Sequence, residues 1–409
     1  MGLILNMDNV PLSGNRPHDG EVSAGVRERD VFTLFGHVSV TGRHYYYNAG
    51  KDTGRFPADD ALCLINGSTP ALATRAIEYA LKESYAKASV SFGRAYTKEM
   101  TPDILKGLVK TAGKSAGEFF GKDSVTANRA HAKSALHTAD KNAASCVVVL
   151  ADGTGMPMRS EELRGVKGRA DDGTATTREV KVGATCEIIP APGKPEERVR
   201  VAGSTTYIAT LERKPEFADM LRAEFDRCYS ILPEEVLLIG DGAKWIWEMR
   251  RTHFPFAVEI LDFFHATEHL APLLDLLGLP EKERKNTFRK WKRWLKDGKV
   301  GKLIQVCEKS ATNTADDKAK QWNAALGYYK DNRDRMKYDS YIAKGWYYGS
   351  GIVESACKEI VEARFKRAGM RWSRKGADAL LPFRTAHLSN RYEELWNFII
   401  NKRKLVHAA

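Results

Sequence analysis

Two aspartates follow hydrophobic runs in a pattern that suits a metal-dependent site. Asp152 follows the run 146–151, Asp241 follows Gly240 and the run 236–239, and a glycine comes after each aspartate. Short hydrophobic runs of this kind are typical of buried strands. If the two runs are neighbouring parallel strands, both carboxylates lie at the carboxyl edge of the sheet, where open α/β folds usually carry their sites.

Glu354 is the third acid of interest. On a helix it shares a face with Cys357 and Val361, so it borders the apolar stripe that packs on the core and needs a partner for its charge. Clustered carboxylates bind hard divalent ions such as Mg²⁺, and two ions about 3.5–4 Å apart support phosphodiester chemistry. The three acids therefore indicate metal-dependent nucleic-acid chemistry. The alternative is that each Asp-Gly pair is an ordinary turn and that Glu354 is an ion-paired surface acid.

The segment 265–269 favours a rival interpretation. It reads His-Ala-Thr-Glu-His, which is the H-x-x-E-H pattern of inverted zinc proteases. On a helix, His265 and His269 could bind one Zn²⁺, with Glu268 as the general base and Glu354 as a third ligand. This interpretation leaves both Asp-Gly sites and the basic charge without a role. A third interpretation is a helix start that carries histidines with ordinary partners.

The basic residues are concentrated in two segments. The chain has 64 Lys and Arg against 52 Asp and Glu, a net charge of +12, which favours a polyanionic partner, nucleic acid before a membrane surface. The segment 281–310 has eleven basic residues and four acids, and 364–376 has six basic residues and no acid. We expect the second segment to bind phosphates through its cations and to stack Trp372 on a base. The alternative is a solvated charged face with Trp372 in the core. The predicted DNA-binding residues are Arg364, Lys366, Arg367, Arg371, Trp372, Arg374 and Lys375.

The composition excludes several classes of protein. With 409 residues and 43% hydrophobic residues, the chain is long and apolar enough for two or three folded domains. It has no run of about 18 apolar residues and no basic start followed by an apolar stretch. We therefore expect no membrane span and no secretory signal. The six cysteines are widely spaced without a C-x-x-C pair, which argues against a cysteine zinc site and favours a reducing cytoplasm.

The predicted order of elements over residues 146–261 is strand, strand, strand, helix, strand, helix, strand. This order predicts an α/β fold with a mixed sheet and at least one parallel pair. A helix is predicted to start at Thr101, and a last helix to run from about 375 to 404. We expect five regions in order: a flexible N-terminus (1–30), a mostly helical DNA-binding region (31–142), the first part of the catalytic core (143–265), a helical insertion (266–340), and a C-terminal catalytic helix with a basic tail (341–409).

The residues around the three acids resemble one known family. The segment 349–358 reads G-S-G-I-V-E-S-A-C-K and continues to R-F-K-R-A-G-M-R-W at 364–372. It resembles the third-acid block of bacterial insertion-sequence transposases of the Kra type, which are DDE transposases akin to Mutator-like elements. Asp152-Gly-Thr resembles the first-acid block, and Gly240-Asp241-Gly resembles the second. Asp262-Phe-Phe-His265 matches the D-x-x-H element of this family, which gives the H-x-x-E-H match another explanation. The blocks occur in the family's order over about residues 30–400.

The resemblance implies a fold and an activity. The implied fold is α/β, with an RNase H-like mixed sheet as the catalytic core, a helical N-terminal region and an all-helical insertion before the last catalytic helix. The implied catalytic and metal-binding triad is Asp152, Asp241 and Glu354, which would hold two Mg²⁺ or Mn²⁺ ions, with Asp262 and His265 as auxiliary residues. The implied activity is cleavage at the ends of an insertion sequence and transfer of the 3′-hydroxyls to target DNA. A homo-oligomer on double-stranded DNA in the bacterial cytoplasm, associated with the nucleoid, would carry it out.

One departure from the family pattern affects the N-terminal region. The segment 45–57 is similar to the family's Y-Y-x-C-x-x-C-x-x-G-x-x-P segment, but Asn48 and Lys51 stand where cysteines are common. We expect a zinc-bound module to be absent here and its contacts with terminal DNA to be altered. The alternative function is therefore a domesticated or inactive relative that still binds DNA, although the presence of all three acids argues against inactivity.

Overall fold

The computed structural model describes residues 3–6, 17, 19–48, 54–96, 100–121, 146–166, 168, 173–311 and 316–408. The chain forms two compact units, each assembled from separate stretches of sequence. The first unit comprises Met1–Phe120, Met156–Arg178 and Ile360–Ala409, and the second comprises Gly121–Gly155 and Glu179–Glu359. Lys51, which replaces a family cysteine, and residues 122–142 of the predicted DNA-binding region lie outside the described residues.

The second unit is organised around a mixed sheet of six strands, β5 (Cys146–Pro157), β6 (Thr177–Ala191), β7 (Lys194–Arg200), β8 (Thr206–Thr210), β9 (Glu235–Gly240) and β10 (Val258–Leu261). The strand order is β10-β9-β5-β6-β7, and β8 also pairs with β6. Strands β5, β9 and β10 are parallel, whereas β7 and β8 run antiparallel to β6. The predicted mixed α/β fold with parallel strands is therefore confirmed.

The central strands of this sheet carry continuous apolar runs because both of their faces are covered there. Residues 147–150 of β5 and 237–239 of β9 are fully buried, and parallel strands buried on both faces show such continuous hydrophobic runs. On one face, helix α5 (Lys214–Cys228) packs closely on β6, where a Cβ at Gly183 would lie 2.8 Å from Leu221. The sheet is therefore a rigid core that fixes whatever follows its strands.

The remaining described elements of the second unit are helices. Among the described residues between Leu270 and Ala343, every regular element is a helix. These helices are α6 (Lys244–His253), α7 (Phe263–Glu268), α8 (Leu270–Leu277), α9 (Glu281–Lys296), α10 (Val300–Ala311), α11 (Asp316–Asp331), α12 (Tyr338–Ala343) and α13 (Gly351–Ala356). A π-helical turn, Cys357–Glu362, continues α13.

The first unit combines a small sheet with helices. Its strands are β1 (Leu3–Asn6), β2 (Glu21–Thr33), β3 (Gly36–Asn48) and β4 (Gly54–Arg55), in the order β1-β3-β2 with β4 on β3. Its helices are α1 (Pro57–Ala61), α2 (Pro70–Lys82), α3 (Tyr85–Tyr96), α4 (Pro102–Ala116), α14 (Ala363–Phe365), α15 (Arg374–Leu388) and α16 (Tyr392–Ala408). The predicted helix start is confirmed, since the Thr101 side chain accepts the amide of Ile104 at the beginning of α4.

Two predictions about the chain ends differ from the structure. Strand β2 starts at Glu21, inside the segment 1–30 that the sequence predicts as flexible. The single last helix is also wrong, because α15 ends at Leu388 and α16 begins at Tyr392. Between them Asn390 has a φ of 54°, a left-handed conformation that ends a helix and that Asn adopts more readily than most residues.

No helix in the described part of the chain is long and apolar enough to cross a membrane. All six cysteines lie in that part, and none of them forms a disulfide.

Candidate functional site

The carboxyl ends of the three parallel strands bring aspartates to the same level of the sheet. Three hydrophobic residues are direct neighbours across these strands: Leu150, Ile239 and Ile260. An aspartate follows each of them by two positions, namely Asp152, Asp241 and Asp262. The expected edge position of Asp152 needs one correction, because β5 continues to Pro157, although its pairing with β9 ends at Leu150.

The Asp152 carboxylate lies close enough to other charged groups to interact with them. Burial raises its pKa and the negative charge of Asp241 raises it further, whereas the Gly153 amide, the Cys357 thiol and the charge of His265 act in the opposite direction. The Gly153 amide donates to Oδ1 at 2.6 Å, and Oδ2 lies 3.5 Å from Cys357 Sγ. A cation near Asp152 and Asp241 would offset the effect of the second negative charge.

The loop that carries Asp241 is fixed from two sides. The Ala243 amide donates to Asp241 Oδ1 at 2.9 Å, and the Tyr328 hydroxyl donates to the Asp241 carbonyl at 2.9 Å. Gly242 has a φ of 103°, and a Cβ at that position would lie 2.9 Å from the Tyr328 ring. Glycine is therefore required here both by the backbone and by the tyrosine of α11.

Asp262 is fully buried and saturated with hydrogen-bond donors. Its oxygens accept the amides of Phe264, His265 and Ser350, the His265 ring and the Ser350 hydroxyl. Burial alone raises its pKa, but the bonds from His265 and Ser350 outweigh burial and hold the pKa below its usual value. A carboxylate has about four lone-pair sites, so Asp262 is better suited to orient its neighbours than to bind a metal ion.

His265 carries a positive charge at neutral pH. Its Nδ1 lies 2.9 Å from Asp262 Oδ2, and this hydrogen bond raises the pKa of His265 to about 9, although partial burial opposes the shift. The charges of Asp262 and Asp241 raise it as well. Because Nδ1 is bound to a carboxylate, the protonated Nε2 is the ring atom that can donate to a phosphate oxygen.

Ser350 connects Glu354 to this pair. It is buried, and its hydroxyl lies 2.6 Å from Asp262 Oδ2 and 2.5 Å from Glu354 Oε1. In the part of the chain that the structure describes, one group of potential ligand atoms lies within 4.8 Å of one another, that of Asp262, His265 and Glu354. Ser350 is not among the site residues predicted from the sequence. Its position four residues before Glu354, one helical turn away, is the signal that could have found it.

The structure therefore brings only some of the sequence-predicted site residues close together. Glu354 lies in the same 4.8 Å group as His265 and Asp262 and is linked to Asp262 through Ser350, whereas Asp152 and Asp241 lie outside that group and interact with it through their charges. The ligand set of the zinc-protease interpretation does not come together. His269 lies outside the group, and its ring stacks on Tyr328 with the ring centroids 3.7 Å apart.

Two members of the predicted DNA-binding segment are buried in the first unit, so their assignment as DNA contacts is wrong. Arg364 is 0% exposed, donates from Nε to the Ala80 carbonyl at 2.7 Å, and lies between the rings of Tyr85 and Trp372 at about 5 Å. Burial lowers the pKa of Arg364 to about 10. Trp372 is 8% exposed and donates to the Phe365 carbonyl at 3.1 Å. The alternative that placed Trp372 in the core is therefore the one that the structure supports.

The other members of that segment lie at or near the surface of the first unit. Lys366 pairs with Glu362 at 2.8 Å, and Arg374 pairs with Asp378 at 2.7 Å. Arg367 donates from Nε to the carbonyl one turn earlier in its helix. Arg371 and Lys375 are exposed. These exposed cations remain able to contact a phosphate, and their role in DNA binding stays a prediction.

The sequence matches no protein-family model and no curated protein.

Proposed function

We propose that this protein is a metal-dependent DNA transposase that uses the acids Asp152, Asp241 and Glu354. The observation that carries the proposal is the row of aspartates just beyond the paired parts of three parallel strands, with Glu354 linked to Asp262 through Ser350 and grouped with His265. Acids on separate elements that meet at one sheet edge fit a catalytic site better than independent turns do. The resemblance of these blocks to transposases of the Kra type supplies the reaction.

The strand order supports an RNase H-like core as part of this proposal. Strand β5 carries Asp152 and lies between the antiparallel group of β6, β7 and β8 and the parallel strands β9 and β10. Helices α5 and α6 connect the successive strands, and the helices from α8 to α12 precede α13, which carries Glu354. This arrangement is compatible with the catalytic core and helical insertion that the resemblance implies, and it supports that part of the proposal.

The donor set at the site fits divalent cations. Asp152, Asp241 and Glu354 would hold two Mg²⁺ or Mn²⁺ ions, since carboxylate oxygens are the ligands these hard ions prefer. When bound, such ions activate the attacking oxygen and stabilise the leaving oxygen. The negative charge of Asp241 adds to burial in raising the pKa of Asp152, and a cation bound near both carboxylates would offset this effect.

The remaining residues orient the substrate. The charged ring of His265, held by Asp262, would contact the scissile phosphate through Nε2. Ser350 would hold the Glu354 carboxylate in the orientation that binding requires. In the first step water attacks the phosphorus atom and the bond to the 3′ oxygen breaks. In the second step the released 3′-hydroxyl attacks a phosphodiester of the target DNA, whose own 3′ oxygen leaves.

The test is cleavage and strand transfer on DNA that carries the terminal repeats of the element, with Mg²⁺. We expect Asp152→Asn, Asp241→Asn and Glu354→Gln each to abolish both steps while DNA binding persists. Glu268→Gln is the matched control, because Glu268 is exposed beside the site and is the general base of the zinc-protease interpretation. Full activity in the three acid variants contradicts the triad. DNA binding without cleavage by the parent protein identifies an inactive relative instead.

A further inference from the structure

Helix α9 carries a row of cations on the face that points away from the core. The residues of this row are Lys282, Arg289, Arg293 and Lys296, and all four are exposed. At 100° per residue they lie within about 60° of one another around the helix axis. Trp291, which is 2% exposed, lies on the opposite face. We name these four residues the α9 cation row.

The α9 cation row is not neutralised by neighbouring acids. None of its four residues forms an ion pair within the described ranges of the chain. Two other basic residues of the helix do have acidic partners, since Arg284 pairs with Asp275 at 2.7 Å and Lys285 with Glu281 at 3.0 Å. Four unpaired cations on one helix face repel one another, so the row is better satisfied by an external anion than by the protein.

The helix that bears the row is firmly held. Trp291 and Leu295 are buried, and α9 packs against α8, α10 and α12. A flank of the same helix approaches the candidate site, because Lys292 Nζ lies 5.8 Å from the centre of the Phe263 ring, next to Asp262. The cation row is therefore presented on a fixed scaffold, one flank of which contacts Phe263, the residue that follows Asp262.

We propose that the α9 cation row binds the phosphate backbone of duplex DNA beside the catalytic site. The inference rests on the proposed function for the identity of the substrate. From Lys282 to Lys296 the row rises by 14 residue steps, or about 21 Å at about 1.5 Å per residue, which corresponds to about six base pairs at about 3.4 Å each. The row is long enough to contact several phosphates, and its charge is spaced along a line, as a polyanion requires.

The chemistry of the row favours the DNA backbone over the bases. No aromatic side chain belongs to the row, and the neighbouring Trp294 ring is approached by Lys290 Nζ at 5.0 Å and Lys302 Nζ at 4.8 Å. Single-strand binding uses exposed aromatic rings for base stacking, and the row offers none. We therefore expect contacts that do not depend on DNA sequence and that weaken steeply with salt.

The experiment measures the binding of a fluorescently labelled 30-base-pair duplex by anisotropy in the absence of divalent ions, from 50 to 300 mM NaCl. In the test variant Arg289, Arg293 and Lys296 are all replaced by Gln. The logarithm of the association constant falls with the logarithm of the salt concentration, and each lost phosphate contact makes this slope less steep by about 0.9. For the triple variant we therefore expect a slope less steep by about 2.7 and binding at least about tenfold weaker at 100 mM NaCl.

The matched control removes the same charge elsewhere in the second unit. Arg251, Lys318 and Lys320 are exposed residues on α6 and α11, and replacing all three by Gln is expected to leave the slope near that of the parent. An unchanged slope in the α9 variant, an equal loss in the control, or a parent protein that does not bind duplex DNA overturns the inference. Two results separate this inference from the proposed catalytic function. Asp152→Asn should bind the duplex like the parent, and the α9 variant should still cleave DNA at low salt.

Discussion

The His265–Asp262 pair makes a prediction that does not require activity. Asp262→Asn removes the negative charge and replaces an acceptor by an amide donor at the position that contacts His265 Nδ1. The pKa of His265, raised to about 9 by this partner, should fall towards its usual value of about 6.5. A difference of about 2.5 units corresponds to at most about 3.4 kcal/mol. Because the ring is 32% exposed, solvent screening reduces the expected contribution to about 1–2 kcal/mol.

The sign of the pH dependence follows from the direction of the shift. A histidine whose pKa is higher in the folded than in the unfolded protein binds protons preferentially in the folded state. The pair therefore stabilises the protein fully below about pH 6.5, and this contribution is lost as the pH rises from about 6.5 to about 9. In Asp262→Asn the same pH range should show a flatter dependence.

The assay is NMR titration of histidine-labelled protein, with urea unfolding at pH 6 and pH 9.5 as a second measurement. We expect a midpoint for His265 near 9 in the parent and near 6.5 in Asp262→Asn. Asp275→Asn is the control, since Asp275 is exposed and pairs with Arg284, and it should leave the midpoint unchanged. A parent midpoint near 6.5, or a midpoint that does not respond to Asp262→Asn, would refute the reasoning.

Three further predictions concern single positions. Ser350→Ala should slow Mg²⁺-dependent cleavage about tenfold because one hydrogen bond to a carboxylate is lost. Ser350→Thr should recover part of the rate, and equal rates in the parent and Ser350→Ala would exclude a positioning role. Gly242→Ala should lower the free energy of unfolding, measured with urea, by about 1–3 kcal/mol, because φ is 103° and a tyrosine ring is close. Gly278→Ala should lower it by about 1 kcal/mol, because φ is 61° and the surrounding space is open. A larger loss in Gly278→Ala than in Gly242→Ala would contradict this explanation. Arg364→Met should lower the free energy of unfolding by about 1–3 kcal/mol, because a buried hydrogen bond is lost. Arg371→Met, at an exposed position, should lower it by less than about 0.5 kcal/mol. Equal effects of the two substitutions would show that Arg364 is not buried as described.

The sheet could be predicted because its strands are buried on both faces. The runs before Asp152 and Asp241 are continuous and apolar, and this pattern depends on burial alone. The role of Asp262 could not be predicted in the same way. Its five donors come from two turns separated by more than 80 residues in sequence, and no local pattern records that the segment around Ser350 packs against α7.

The wrong assignment of Arg364 has a simple physical cause. A run of Lys and Arg suggests a solvated face, because charged residues are rarely buried. The period of the preceding helix gave a contrary signal, since Arg364 lies three and four residues after Val361 and Ile360, which are both buried. Arg364 thus continues the apolar stripe, and its guanidinium is accommodated between two aromatic rings.

The row of aspartates constrains which insertions and deletions the protein can tolerate. Side chains alternate between the faces of a strand, so one extra residue before Asp152 or Asp241 turns that carboxylate to the opposite face and moves it by about 3.3 Å. Changes in the connections between strands leave the row intact. Each aspartate must therefore stay two residues after its partner in the sheet, namely Leu150, Ile239 or Ile260. The connections between these strands can differ in length without moving the aspartates.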